Sequence, residues 1–319
     1  MFEPKNKGRS TLDQCLPFER AILELELRIE KTETDEERGA LRDELDRERQ
    51  TVFANLTPWQ RVQLARHAQR PRMLDYTARL LDDFIELHGD RAIGDDPAMV
   101  AGIGRFEDQT IMVVGQQKGV TTEEKVKRNF GMAHPEGYRK AMRAFEMAER
   151  FKMPIVTFVD TPAAHPGIEA EAHGQGPLIA ASLRRMMAIK TPILSVVLGE
   201  GGSGGALAVA VADRLAMLEH AIYVICPPER CAEILWRDVE KKELAASALR
   251  VTAGELKELG VADVVLPEPP GGAHRDPVGA AEILREELRR FLDGCQKGLW
   301  TVEKRRRKFR NFGVWHQGT

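Results

Sequence analysis

A layered α/β domain is the fold class this sequence predicts, and three observations carry the prediction. Strand-like runs begin near residues 155, 193, 222 and 261, one every 30 to 40 residues, with helical stretches between them. Residues 193–198 (ILSVVL) are apolar without alternation, the pattern of a strand buried on both faces. Directly after it, glycine occupies Gly199, Gly201, Gly202, Gly204 and Gly205, and residues 206–212 form an apolar stretch with no polar face, read as a buried helix.

Composition bounds the rest. At 319 residues, 43% hydrophobic and 30% charged, the chain suits one large globular domain with an appendage, or two smaller ones. A net charge of −2 supplies no global field toward nucleic acid or membrane. Cys15, Cys226, Cys231 and Cys295 are scattered, and their closest pair is spaced CxxxxC with no histidine at ligand spacing, so neither zinc nor a disulfide framework is expected. The N-terminal MFEPKNKGRS lacks the apolar run of a signal peptide and no stretch approaches 18 apolar residues; a cytoplasmic protein is expected.

In chain order, residues 18–29 and 36–53 read as two helices, the second opening on Thr34 with Glu37 three residues on. Their apolar stripes, Ile22, Leu25, Ile29 and Leu41, Leu45, Val52, are too narrow to hold a hairpin alone, so it must dock on the body or on another subunit. Thr57-Pro58-Trp59-Gln60 is a further helix start, and residues 74–87 read as an amphipathic helix closed by Gly89. Residues 99–106 and 110–116 form a β-hairpin. Lys118, Lys125, Lys127 and Arg128 follow within eleven residues: a solvated run, or contacts to a phosphate-bearing ligand or a partner. A helix opens at His134-Pro135-Glu136 and Pro154 separates it from strand 155–159. That strand leads into Asp160-Thr161-Pro162-Ala163-Ala164-His165-Pro166-Gly167, a proline-stiffened loop, then a helix to about residue 190. After the glycines come strand 221–226, helix 228–236, a helix capped by Thr252, strand 261–266 and helix 278–292. Lys304, Arg305, Arg306, Arg307, Lys308 and Arg310 interleave with Phe309, Phe312 and Trp315, read as a packed or subunit-facing tail rather than a nucleic-acid site. The divisions are 1–55 (helical segment for subunit contacts), 56–295 (main domain) and 296–319 (basic tail).

Five glycines in seven positions need a reason, since each weakens regular structure by about 1 kcal/mol relative to alanine. One reading is a tight crossover needing glycine for packing. A second takes Gly201-Gly202-Ser203-Gly204-Gly205 as the GxSxG elbow of a serine hydrolase, with Asp263 and His274 downstream. A third is an oxyanion hole, backbone N–H groups at a helix start left accessible by the missing side chains.

Four long segments, LARHAQRPRMLDY, HGDRAIGDDPAMVAGIGRF, NFGMAHPEGYRKAMRAFEMAERFKMPIVTFVDTP and GEGGSGGALAVAVADRL, closely resemble, in order and spacing, the alpha subunits of bacterial acetyl-CoA carboxylase carboxyltransferases. The resemblance covers about residues 18–292. It implies a crotonase-like spiral of ββα units, with the N-terminal helices joining subunits. It also implies an α2β2 assembly with a beta subunit that carries a four-cysteine zinc site, no metal on this chain, and biotin delivered on a biotin carboxyl carrier protein. A separate biotin carboxylase would consume the ATP. The implied reaction moves the carboxyl group of carboxybiotin to acetyl-CoA, giving malonyl-CoA for fatty acid synthesis. Alternatives are a subunit that only assembles the complex, a carboxyltransferase for another acyl-CoA and, remotely, the hydrolase.

By the same resemblance, Gly204 and Gly205 would donate to the biotin ureido oxygen while Gly201 and Gly202 give bend and clearance. Ala163, Ala164, His165, Pro166 and Gly167 would line the substrate; on charge clustering alone, Lys118, Lys125 and Arg128 are the candidate contacts to phosphate or a partner. Such chains usually read DTPGAYPG or DTPGAFPG followed by AEERGQ. Here Ala163 replaces the glycine, His165 the aromatic residue, and Ala172-His173 the Glu-Arg pair. If the glycine position requires a positive φ, Ala163 costs about 1 kcal/mol, and His165 could titrate near neutrality.

Overall fold

The computed structural model describes residues 15–313. The N-terminal run read for targeting and Trp315 of the tail lie outside them. Two helices, α1 (Arg20–Lys31) and α2 (Asp35–Ala54), form an N-terminal hairpin. The body contains α3 (Pro58–Ala65), α4 (Met73–Leu80), β1 (Asp82–Glu86), β2 (Met99–Phe106), β3 (Gln109–Gln116), α5 (Thr122–Lys127), α6 (Pro135–Phe151), β4 (Ile155–Thr161), α7 (Ile168–Ala172) and α8 (Gln175–Met186). It continues through β5 (Ile193–Gly202), α9 (Ser203–Leu207), β6 (Arg214–Leu218), β7 (Ile222–Val224), α10 (Pro228–Trp236), α11 (Lys242–Leu249), α12 (Ala253–Glu258), β8 (Val264–Leu266), α13 (Pro277–Gln296) and α14 (Val302–Arg310).

Eight strands join in one sheet ordered β1-β2-β3-β4-β5-β6-β8, with β7 paired to the far end of β5. The β1-β2-β3 edge is antiparallel and the remainder parallel. All ten residues of β5 are buried, as expected for a central strand covered on both faces. Among the described residues no helix is long and apolar enough to cross a membrane.

The structure corrects three expectations. The helix predicted over 74–87 stops at Leu80, and its second half is strand β1. Leu81 and Phe84 satisfy either periodicity, and their partners decide. A Cβ on Gly102 would lie 2.4 Å from Phe84 Cζ, and one on Gly104 2.8 Å from Leu81 Cδ1, so glycine on β2 admits these side chains. The apolar stretch 206–212 is helical only to Leu207, then turns into β6, a strand without β-branched residues that propensity does not reveal. The helix expected to reach residue 190 breaks between α7 and α8 at Gly174, which has φ 86°.

Capping residues behave as their chemistry dictates. Thr57 and Gln60 form a reciprocal box, Gln60 N–H donating to Thr57 Oγ1 at 3.2 Å and Thr57 N–H to Gln60 Oε1 at 2.8 Å. Thr34 is the N-cap of α2, but its hydroxyl reaches only the Glu37 carboxylate, at 3.5 Å, and does not cap the backbone.

The hairpin encloses its own small core of Ile22, Leu25, Leu41 and Leu45. It docks on the body through an ion pair, Arg275 Nη1 with Glu26 at 2.8 Å, and a hydrogen bond between His274 Nε2 and Glu19, just before α1, at 2.9 Å. His67 stacks on His274 with ring centroids 4.1 Å apart, and Glu19, His67 and His274 are all buried.

At the other end of the chain the basic run is part of the fold. Arg305, on α14, is 1% exposed; it donates to the carbonyls of Met186 (2.6 Å), Ile189 and Thr191 (both 2.9 Å) and to Asp213. One guanidinium thus closes the C-terminal end of α8. Replacing Arg305 by Met leaves Asp213 and those carbonyls buried without a donor. Denaturant unfolding of the variant should show a loss of about 3–5 kcal/mol.

A second buried pair lies behind the sheet. Arg70 donates to Leu198 O at 2.7 Å and holds Glu268 with both Nη atoms, one at 2.9 Å. Burial alone would raise the Glu268 carboxyl, but the Arg70 guanidinium and the His220 ring outweigh it and bring it down to about 2. This carboxylate therefore stabilises the fold above its ordinary value of 4.5, and the contribution is lost as pH falls from there toward 2. A Glu268→Gln protein should be less stable at neutral pH and show a shallower acid limb below pH 4.5 in a melting-temperature series; parallel limbs would remove Glu268 from that role.

Candidate active site

In parallel sheets ligands sit beyond the carboxyl ends of the strands. Here β4 ends in the loop 162–167 and β5 ends in the glycines, and the two main chains touch. A Cβ on Gly202 would fall 1.9 Å from Pro162 O, and one on Gly205 would lie 2.4 Å from Ala164 N and 2.5 Å from Ala163 C. A Cβ on Gly201 would meet the Tyr223 ring at 2.8 Å, and one on Gly199 would meet Ala65 O at 2.7 Å. Gly204 is different: its nearest neighbour would be Ile179 Cδ1 at 3.5 Å, ordinary contact. Four of the five glycines are therefore packing requirements, which merges the crossover reading with the reading of accessible N–H groups.

Between them Ser203 adopts φ 50°, and no side chain caps α9. The N–H groups of a first helical turn have no intrahelical acceptor. Those of Ser203, Gly204 and Gly205 open this one.

Beneath the two loops lies a network of charges. Asp160, 1% exposed, binds Arg72 Nη1 at 2.9 Å and Lys118 Nζ at 2.9 Å and accepts Glu200 N–H at 3.1 Å. Glu200 binds Lys118 Nζ at 3.2 Å and Arg66 Nε at 2.8 Å, and Arg66 also reaches Glu229 at 2.6 Å. Burial would raise the Asp160 carboxyl, but Lys118 and Arg72 hold it below the usual carboxylate range.

Lys118, read as a candidate phosphate contact, is thus buried between two carboxylates. Arg128 donates to Pro97 O at 2.8 Å, and Lys125 is half-exposed at the end of α5. The structure does not bring these three cations together at the glycines.

Loop 162–167 has a defined internal order. Ala163 keeps a negative φ, so the alanine carries no left-handed strain. Ala163 N–H donates to Thr161 Oγ1 at 3.3 Å, and that hydroxyl donates to Ala163 O at 2.7 Å. Asn129 Nδ2 donates to Met132 O at 2.8 Å and to His165 Nδ1 at 2.9 Å, which places the His165 proton on Nε2. Burial and the adjacent His134 ring, 4.1 Å away between centroids, both lower the His165 pKa, so the ring is neutral at pH 7. Ala164, Pro166 and Gly167 complete the partly exposed edge.

The hydrolase constellation is not assembled. Asp263 accepts Leu215 N–H at 2.6 Å and pairs with Lys308, while His274 is buried against Glu19 under the hairpin.

Arg66, Arg72, Asp160, Glu200 and Asn129 were not singled out by sequence reasoning. Arg70 and Arg72 flank Pro71 in LARHAQRPRM with Arg66 just upstream, and three arginines in seven residues beside apolar positions is a signal of buried charge, though it names no partner.

Residues 15–313 match the family model described as acetyl co-enzyme A carboxylase carboxyltransferase-like. Relatives named acetyl-coenzyme A carboxylase carboxyl transferase subunit alpha include one from Geobacter metallireducens, 52% identical over 92% of this chain and 96% of its own. Another, from Thermus thermophilus, is 51% identical over 94% of this chain and 98% of its own, and a third, from Cyanothece sp., is 50% identical over 95% and 96%.

The chain belongs to this carboxyltransferase-like family.

Solved structures agree on the fold. Transcarboxylase 12S is similar at a TM-score of 0.53 with 21% identity, covering 67% of this chain and 41% of its own. The beta subunit of P. aeruginosa geranyl-CoA carboxylase is similar at 0.56 with 16% identity, covering 77% and 46%. The crotonase-like architecture of these carboxyltransferases is thus the architecture here.

Within the carboxyltransferase-like frame the glycines should separate experimentally. Gly202→Ala forces the loops apart and should lower stability by about 2 kcal/mol or more, whereas Gly204→Ala should be neutral or gain up to about 1 kcal/mol from helix propensity. Equal midpoints for the two in chemical denaturation would contradict the packing geometry.

Proposed function

We propose that this carboxyltransferase is the alpha subunit of a bacterial acetyl-CoA carboxylase, moving a carboxyl group from carboxybiotin to acetyl-CoA to give malonyl-CoA. The observation that carries the reading is the uncapped start of α9, where the N–H groups of Gly204 and Gly205 stand free of side chains between two closely packed loops. Carboxybiotin, delivered on a separate carrier protein, supplies the carboxyl group and takes up negative charge on its ureido oxygen as that group leaves.

The chain's own part is electrostatic. Gly204 N–H and Gly205 N–H donate to the developing oxyanion, with the helix dipole adding a fixed partial positive charge. Gly201 and Gly202 provide the bend, and loop 163–167 forms the opposite wall. Ser203 needs no nucleophilic role, since carboxyl transfer calls for donors at the oxygen rather than a covalent protein intermediate.

The charges below act as a floor. Lys118 is shared by Asp160 and Glu200, and Arg72 and Arg66 supply the remaining positive charge, so neither carboxylate is left unpaired near the developing negative charge. Lys125, half-exposed at the end of α5, offers a cation to a phosphate-bearing acyl-CoA or a partner surface.

The assembly this reading implies is cytoplasmic: an α2β2 pairing with a zinc-bearing beta subunit that supplies most of the acyl-CoA site, served by a biotin carboxyl carrier protein. ATP is used by the biotin carboxylase. The near full-length match to alpha subunits supports that assignment.

The test is malonyl-CoA formation from acetyl-CoA and carboxybiotin by the chain co-purified with its beta subunit. Wild type should turn over and Ser203→Ala should keep kcat within about threefold, where loss of a true nucleophile removes on the order of 10³-fold or more. An intact complex that makes no malonyl-CoA would sink the catalytic reading.

A further inference from the structure

The backbone ladder of α9 skips one acceptor. Ala208 N–H donates to Gly204 O at 3.0 Å, but Val209 N–H donates to Ala206 O and Ala210 N–H to Leu207 O, both at 3.1 Å. The helix tightens from i,i+4 to i,i+3 bonding between these steps. The Gly205 carbonyl is passed over.

A side chain from the sheet takes its place. Gln116, fully buried as the last residue of β3, donates from Nε2 to Gly205 O at 3.0 Å, and the Tyr138 hydroxyl lies 3.5 Å from the same oxygen. The other end of the Gln116 amide accepts Asp160 N–H at 3.2 Å. One planar group therefore ties the glycine turn after β5 to the carboxyl end of β4.

We propose that Gln116 is a positioning residue for carboxyl transfer, its amide fixing Gly205 against Asp160 so that the Gly205 N–H keeps its aim. The inference rests on the function proposed above. Its physical basis is that glycine has no side chain to restrict rotation and a buried carbonyl left with only the long 3.5 Å contact of the Tyr138 hydroxyl is poorly satisfied. Without Gln116, the nearest remedy is for Val209 N–H to take the Gly205 carbonyl in a regular helical turn, which rotates the peptides on which the donor sits. Gly205 also packs against the main chain of Ala163 and Ala164, so the opposite wall would follow.

The variants are measured in complex with the beta subunit. Gln116→Met keeps the length and removes both hydrogen bonds. It should lower kcat by about 30-fold or more while KM for acetyl-CoA stays within about twofold and the complex elutes unchanged. Gln116→Glu restores the donor to Gly205 only when its carboxyl is protonated. Its rate relative to wild type should rise as pH is lowered and fall as pH is raised, a dependence that a purely structural role does not produce.

A Met variant within about threefold of wild type overturns the proposal, as does a Glu variant whose ratio to wild type is flat with pH. If the Met variant does not assemble, the pH profile of the Glu variant decides. Absence of turnover in wild type itself marks failure of the functional reading, and the inference falls with it.

Discussion

Contact between two main chains is the constraint on which the site depends. Gly202 lies so close to the Pro162 carbonyl that no side chain of any size fits, and Gly205 stands in the same relation to Ala163 and Ala164. Side chains at these two glycines would force the crossovers apart. Glycine removes the obstacle on the β5 side of the contact, where it meets the main chain of Pro162, Ala163 and Ala164, so β4 and β5 can end in one shared edge. The conformational cost is offset by the ten buried residues of β5 that lead into the turn.

Close approach of two loops is stable only if the layer beneath does not yield. Arg66, Arg72 and Lys118 meet Asp160, Glu200 and Glu229, three cations against three carboxylates, and Asp160 and Glu200 also serve as anchors for the ends of their strands. Buried ion networks of this kind contribute little net stability compared with a well-packed apolar core. Removing one partner nonetheless strands a charge, and they resist rearrangement for that reason. The segment between α3 and α4 supplies Arg66, Arg70 and Arg72 to the underside of β5, Arg70 reaching the Leu198 carbonyl and Glu268. Rigidity beneath the glycines thus comes from charge pairing, which suits a site meant to hold N–H groups still while charge develops above them.

Much of this was legible in the sequence, but unevenly. The central strand, the glycine turn and the proline-stiffened loop were readable because each has a local cause: apolar residues on both faces, missing side chains, fixed φ. Strand β1 was not, because Leu81 and Phe84 fit a helix as well as a strand and the deciding glycines stand twenty residues away on β2. Strand β6 follows the apolar stretch 206–212 after Asp213 and holds no β-branched residue, so neither period nor propensity marked it. The glycines were read for chemistry when four of them are also demanded by packing, and Lys118 was read as a free cation when two carboxylates far along the chain neutralise it. Partner identity is a tertiary fact. Sequence shows that Arg66, Arg72, Asp160 and Glu200 exist, not that they meet.

The substitutions in loop 162–167 and at α7 looked like the weak point of a catalytic reading, yet Ala163, His165 and His173 each make a specific contact. Ala163 sits at negative φ, where a Cβ costs nothing, and its peptide is held at both ends by the Thr161 hydroxyl. His165 is neutral, stacked on His134 and bonded by Asn129, so it behaves as a flat, partly exposed ring of the kind an aromatic residue would present, with an N–H added at its outer edge. His173 at the end of α7 bonds Glu136 at 2.8 Å, and Arg139, which also bonds Glu136, donates to the His173 carbonyl at 3.2 Å. The loop with these residues is therefore supported by contacts of its own. Asn129 carries part of this order from a turn in which Asn129, Phe130 and Gly131 all have positive φ, a strained conformation that a chain keeps where the surrounding structure over-determines it.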